Sequence, residues 1–139
     1  MAETMQFDLV SPERRLVSGP ANAVQLPGSE GDMTALPDHA PTITTLRPGL
    51  IKVDLADGMQ EFAVTGGFAE INAEGTTVLA EEALPRADVT QDYLENLVAK
   101  AAELHREAGT DTVDAAAKLV ADLVALGSEL GLSVTQPAH

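Results

Sequence analysis

The sequence predicts an α+β fold in which an N-terminal β-sandwich is followed by a C-terminal antiparallel two-helix hairpin. Residues 1–87 contain 8 Gly and 7 Pro, whereas residues 88–139 contain 3 Gly and 1 Pro. Frequent turn-forming residues favour short strands, and their scarcity permits long helices. Apolar residues also alternate in the first region and recur every three or four positions in the second. We therefore predict a sandwich domain over 1–87 and a helical hairpin over 88–139.

The predicted strands of the first region rest on alternation and on turn residues. Apolar and polar residues alternate over 5–9 and again over 51–55, a period of two that buries one face of a strand. Asp57 and Gly58 follow the second run and predict a hairpin, because both residues tolerate positive φ. Further turns are predicted at 66–67 and 73–75, and strands with turns at this spacing are typical of a sandwich or barrel.

The predicted helices of the second region each have one apolar face. The first face holds Leu94, Leu97, Val98, Ala101, Leu104 and Ala108, and the second holds Val113, Ala116, Ala117, Val120, Leu123, Val124 and Leu130. Gly109 is expected to end the first helix, and Thr110 and Asp111 to cap the second. Because many of these residues are alanines, the contact between the helices buries little area. We expect the hairpin to be only marginally stable unless it docks on the sandwich or on a partner.

Composition excludes several classes of function. Lys and Arg number 8 against 22 Asp and Glu, a formal charge of −14 that argues against binding a phosphate backbone. Aromatic residues make up only 3%, too few for base stacking. The absence of cysteine excludes disulfides and thiolate metal sites. No apolar stretch is long enough to span a bilayer, and the N-terminus is acidic where a targeting peptide would be basic.

Motifs for catalysis are also missing. The histidines His39, His105 and His139 are far apart in the sequence, so none is expected to bind a metal. The glycines at 28 and 31 lack the Lys-Ser/Thr that completes a phosphate loop. We therefore expect a noncatalytic protein without cofactor or metal. The acidic, Gly- and Pro-rich stretch 28–41 is either an irregular strand pair with polar edges or a recognition surface stiffened by its backbone.

Six spaced motifs resemble those of a known family. They are FDLVSPE at 7–13, GSEG at 28–31, PDHAP at 37–41, LRPG at 46–49, GGFAEI at 66–71 and VLAEEA at 78–83. In this order the chain resembles the epsilon subunit of bacterial F-type ATP synthases, the equivalent of the mitochondrial delta subunit. The fold of that family, a sandwich followed by a helical hairpin, coincides with the fold predicted above.

The resemblance implies a noncatalytic rotor subunit of the central stalk. The sandwich would hold the gamma subunit and sit on the polar loops of the membrane-embedded c-ring, so that proton flow is coupled to ATP synthesis. Glu30, Gly31 and Asp32 would then face the ring, with His39 nearby. Acidic side chains suit ring loops that carry arginine, since carboxylate and guanidinium groups pair with defined geometry. The resemblance also implies a peripheral protein on the cytoplasmic face of the bacterial plasma (inner) membrane, attached through the complex.

In some members of the family the hairpin inhibits ATP hydrolysis by placing basic residues against the catalytic alpha and beta subunits. Here residues 88–139 contain three cationic residues, Lys100, Arg106 and Lys118, against nine acidic ones, a net charge of −6. An acidic arm is repelled by an acidic target, so we expect weak inhibition or none. Members that bind ATP resemble one another in a Leu/Ile-Asp-x-x-Arg-Ala motif at the start of the first helix, and the matching stretch 89–94, VTQDYL, does not carry the Asp and the Arg of that motif.

Two other classes of function are open at this point. A free-standing acidic binding module would use 28–41 to recognise a basic protein, and purification from native membranes would distinguish it from a rotor subunit. An enzyme is the least favoured class, because no polar constellation for catalysis is present in the sequence.

Overall fold

The computed structural model describes residues 4–37, 40–55, 57–107 and 113–132. The chain divides into two compact units, with the division between Arg86 and Ala87. The first unit is built from strands and the second from helices. This architecture agrees with the α+β fold class that the sequence predicts.

Nine strands occur among the described residues of the first unit. They are β1 (Met5–Val10), β2 (Arg15–Gly28), β3 (Gly31–Ala35), β4 (Thr42–Leu46), β5 (Gly49–Leu55), β6 (Gly58–Val64), β7 (Gly67–Ile71), β8 (Gly75–Ala80) and β9 (Ala83–Pro85). The 14-residue strand β2 contributes to both layers, because its first half pairs with β1 and its second half with β3 and β5. One layer continues from β5 to β6 and β9, and the other from β1 to β8, β7 and β4.

The core of the first unit lies between these layers. The alternation predicted for β1 is confirmed, since Met5, Phe7 and Leu9 are buried while Gln6 is exposed. Ile51 and Val53 of β5 are buried in the same cluster. The alternating apolar positions of β1 and β5 therefore point inward, as a period of two requires when only one face meets solvent.

The predicted turns are present. Leu55 pairs with Gly58, whose φ of +129° fits a glycine, so the hairpin predicted at 57–58 is confirmed. At the turn between β7 and β8, the side-chain Oδ1 of Asn72 accepts hydrogen bonds from the backbone N–H of Glu74 (2.9 Å) and Gly75 (3.1 Å). This pattern is an Asx turn, in which the side chain replaces a backbone acceptor.

The second unit contains α1 (Gln91–Glu107) and α2 (Val113–Glu129), which contact each other. A short 3₁₀ helix, Arg86–Asp88, spans the division between the units. Thr90 caps α1, because its Oγ1 accepts a hydrogen bond from the N–H of Tyr93 at 3.1 Å. Within the described ranges, no helix has the length and apolar character needed to cross a membrane.

The predicted apolar faces of the helices are partly wrong. Leu94, Val98 and Ala101 are buried as expected, but Leu104 is 57% exposed and Ala102 is buried in its place. Because a helix turns about 100° per residue, Leu104 lies about 80° from Leu94 around the helix axis. Ala102 lies about 80° from Leu94 in the opposite direction. The buried side chains therefore form a stripe along the helix that does not include Leu104.

In α2, Val120 and Leu123 are buried as predicted, Ala117 is exposed, and Leu126 is an additional buried residue. Ala117 carries only a methyl group, so its exposure leaves little apolar surface in water. The predicted helix end at Gly109 and the cap at Thr110 and Asp111 lie outside the described residues.

Candidate functional site

The predicted site residues Glu30, Gly31 and Asp32 lie together at the end of a regular β-hairpin. Strands β2 and β3 pair from Val24 and Ala35 down to Gly28 and Gly31, which leaves a two-residue loop at 29–30. All three predicted residues are exposed. We call residues 28–32 the hairpin tip. The fourth predicted site residue, His39, lies outside the described residues.

Two glycines allow this tight hairpin. Gly31 has a φ of +141°, which side-chain-bearing residues rarely adopt. A Cβ on Gly28 would lie 2.6 Å from the carbonyl oxygen of Gly31, closer than real Cβ contacts. The spacing Gly-Ser-Glu-Gly thus serves the backbone of the turn, with a carboxylate at its apex.

Arg47 contacts both strands of the hairpin. Its Nη1 donates to the backbone carbonyl of Gly28 at 2.6 Å, and its Nη2 donates to Oδ1 of Asp32 at 2.5 Å. The side chain of Arg47 is 23% exposed, whereas that of Asp32 is 80% exposed. The guanidinium is a planar fork with fixed donor directions, so these two bonds constrain the positions of both strands at once.

The backbone beside Arg47 also holds the tip. The N–H of Ser29 donates to the carbonyl of Thr45 at 2.8 Å, and the N–H of Arg47 donates to the carbonyl of Pro27 at 3.0 Å. Gly49 lies so close to Pro27 that a Cβ on it would be 2.6 Å from the Cβ of Pro27. The tip is therefore held from one side by the end of β4 and the start of β5.

The two acidic side chains of the tip have different surroundings. Asp32 forms an ion pair with Arg47. In the part of the chain that the structure describes, Glu30 forms no ion pair. Since an ion pair has no net charge, the carboxylate of Glu30 supplies the uncompensated negative charge of the tip.

Sequence reasoning gave Arg47 no role at this site. Arg47 stands out in the sequence only as part of the LRPG motif at 46–49, and it lies 15 residues from Asp32 along the chain. One feature of the sequence points to Arg47: it is a cation directly before Pro48 and Gly49 in a region with few cations. No group of three or more potential metal ligands occurs among the residues described by the structure.

Solved structures of similar fold contain ATP synthase assemblies. A chain in the cryo-EM structure of the Euglena gracilis mitochondrial ATP synthase, OSCP/F1/c-ring in rotational state 1, matches with a TM-score of 0.71 and 21% identity over 91% of this chain and 81% of that chain. A chain in the cryo-EM structure of the Tetrahymena thermophila mitochondrial ATP synthase central stalk/c-ring matches with a TM-score of 0.58 and 17% identity. The match covers 85% of this chain and 97% of that chain. At these identities the likeness shows the fold.

Relatives with higher identity carry one name. The ATP synthase epsilon chain of Ruegeria sp. (strain TM1040) is 55% identical over 95% of this chain and 100% of its own length. The ATP synthase epsilon chain of Paracoccus denitrificans (strain Pd 1222) is 55% identical over 95% of this chain and 94% of its own length. These names agree with the prediction of a noncatalytic subunit. The family model for the ATP synthase delta/epsilon chain β-sandwich domain matches residues 4–86. The resemblance predicted from the motifs is confirmed, and the chain belongs to the ATP synthase epsilon chain family.

Proposed function

We propose that this chain is a noncatalytic central-stalk subunit that links the gamma subunit to the c-ring and couples proton flow to ATP synthesis. The observation that carries the proposal is identity to named epsilon chains over nearly the whole length. Chains of similar fold occur in assemblies described as F1/c-ring and central stalk/c-ring. In this proposal the sandwich of 1–87 contacts gamma and the ring, and the chain lies peripherally on the cytoplasmic face of the bacterial inner membrane.

The hairpin tip is the part of the sandwich that we assign to the ring. Glu30, Gly31 and Asp32 are exposed there, and His39 follows eight residues after Gly31. The tip presents negative charge on a turn that Arg47 and two backbone hydrogen bonds hold in place. A contact that transmits torque benefits from such stiffness, because a preformed surface loses little conformational entropy on binding.

Charge reversal tests this assignment in inverted membrane vesicles that contain the whole ATP synthase. Glu30→Lys replaces an attractive contact with a repulsive one, so protons pumped per ATP hydrolysed should fall at least about twofold. Glu74→Lys is the matched control, since Glu74 is also exposed but lies in the turn between β7 and β8. That turn follows the end of β7 that pairs with Thr42, away from the end that pairs with Leu46 beside the tip.

The expected result is a loss of coupling in Glu30→Lys and none in Glu74→Lys. Equal coupling in both variants would contradict the assignment of the tip to the ring. Purification of the chain from native membranes without catalytic and gamma subunits would contradict the larger proposal and favour a free-standing acidic module.

The hairpin of 88–139 is proposed to inhibit ATP hydrolysis weakly or not at all. Its described helices expose more acidic than basic side chains, with Asp92, Glu95 and Glu103 on α1 among them. Contact with the alpha and beta subunits through basic residues would need a net positive charge, whereas residues 88–139 carry a net charge of −6. Deletion of residues 88–139 tests this proposal through the rate of ATP hydrolysis by the whole complex.

A further inference from the structure

We infer that Arg47 is a positioning residue for the hairpin tip and that Asp32 acts through Arg47, which leaves Glu30 as the recognising carboxylate. This inference rests on the proposed function, because it divides the roles of residues at the same contact. The partner that it implies is a cationic loop, one that offers arginine or lysine to a single carboxylate at the apex of the turn.

The guanidinium of Arg47 bridges the two strands of the hairpin tip. Gly28 belongs to the pair Gly28–Gly31 that closes the loop at 29–30, and Asp32 lies on the opposite strand, one residue beyond that pair. Arg47 donates to both of them, at 2.6 Å and 2.5 Å. One rigid group therefore spans the base of the loop, and the separation of the two strands at this point depends on it.

The negative charge of Asp32 is paired with Arg47. Its carboxylate is largely exposed, but one oxygen already accepts from Arg47. A cationic partner at Asp32 would share that carboxylate with Arg47 and would meet the positive charge of Arg47 close by. Glu30 has no such neighbour among the described residues and sits in the loop itself. The two acids differ in role although they are two residues apart.

Arg47 is also linked to the backbone of the loop that carries Glu30. The N–H of Ser29, the residue before Glu30, donates to the carbonyl of Thr45 at 2.8 Å. Arg47 lies two residues after Thr45 and binds the carbonyl of Gly28, which precedes Ser29. Loss of the guanidinium should therefore loosen the Ser29 hydrogen bond and the orientation of Glu30.

Hydrogen exchange of backbone amides in the full-length subunit tests the positioning role. In Arg47→Gln, exchange of the Ser29 amide should accelerate about tenfold while the amides of β5 exchange as in the unsubstituted chain, because the opening is local. A role in global stability alone would accelerate both sets. Asp32→Asn is the second variant and is expected to fold, since its side chain is exposed; it should accelerate Ser29 exchange less than Arg47→Gln does.

A double-mutant cycle tests the division of roles in vesicles that contain the whole ATP synthase. Protons pumped per ATP are measured for Asp32→Asn, Arg47→Gln and the double variant, at an ionic strength of about 0.15 M, where the Debye length is about 8 Å. If Asp32 acts through Arg47, Asp32→Asn lowers coupling in the unsubstituted background but has no further effect in the Arg47→Gln background. An equal loss in both backgrounds would overturn the inference, because Asp32 would then contact the partner itself.

Glu30→Gln separates this inference from the proposed function. A loss of coupling in Glu30→Gln that persists in the Arg47→Gln background supports both. A loss in Glu30→Gln together with an additive effect of Asp32→Asn overturns only the division of roles. Unchanged coupling in Glu30→Gln contradicts the contact between tip and ring, and the inference falls with it.

Discussion

Replacement of Gly67 by alanine should lower the free energy of unfolding of the sandwich by more than the cost of the backbone φ at this position alone. Gly67 begins β7 and has a φ of +134°. A Cβ built on it would lie 2.2 Å from the carbonyl oxygen of Leu79 and 2.9 Å from the Cα of Ala80. Because contacts below 3.0 Å are essentially never seen, β7 has to move from β8 by about 0.8 Å.

The magnitude has two parts. A residue other than glycine in this sparsely populated φ region costs about 1–3 kcal/mol. Forcing additional atoms into a packed site costs about another 1–3 kcal/mol. Gly58→Ala is the matched control, since Gly58 has a φ of +129° and, among the described residues other than its chain neighbours, no atom lies within 4 Å of the Cβ position. Gly58→Ala should therefore show the first cost alone, and Gly67→Ala the sum of both.

The assay is equilibrium unfolding of the full chain in urea, followed by the NMR signals of the β5 amides. These amides belong to the strand unit, so their signals report the unfolding of that unit. The free energy of unfolding should be lower in Gly67→Ala than in Gly58→Ala by about 1–3 kcal/mol. Equal losses would refute the reasoning, because they would mean that β7 and β8 separate without cost. Gly67 pairs with Leu46, which pairs with Gly28. The same shift should therefore reach the tip.

Two further predictions concern the helices. Thr90→Ala removes the acceptor of the Tyr93 N–H and should lower the stability of α1 by about 1 kcal/mol, measured by amide exchange in the first turn; unchanged exchange there would contradict the cap. Deletion of 88–139 should change the ATP hydrolysis rate of the whole complex less than about twofold, because the arm is acidic. A several-fold rise would show that the arm inhibits strongly.

Strands were predictable because solvent meets each layer from one side. The local alternation of apolar and polar residues predicts the burial of Met5, Phe7 and Leu9, so this prediction needs no information about distant residues. The turn at Gly58 was predictable for a similar reason, since the conformation that it needs is a property of the residue itself.

The helical faces were less predictable, because steps of three and four residues fit a face about 100° wide in more than one way. Leu94 and Val98 are compatible with a stripe that continues to Leu104 or with one that continues to Ala102. The three-residue step from Ala101 placed Leu104 on the predicted face. The packing buries Ala102 instead, so the choice depends on which neighbours surround the helix and not on the hydrophobicity of the residue.

The role of Arg47 was beyond local reasoning, because its two acceptors lie 15 and 19 residues away. A count of charges at the tip gives two acids and predicts that both attract a cationic partner. The ion pair changes that count, since Asp32 and Arg47 together carry no net charge and Glu30 remains. The negative sign of the charge at the tip follows from the sequence of residues 28–32 alone, which contains two acids and no cation. Which carboxylate acts on the partner follows only from the fold, which brings the end of β4 against the end of β2.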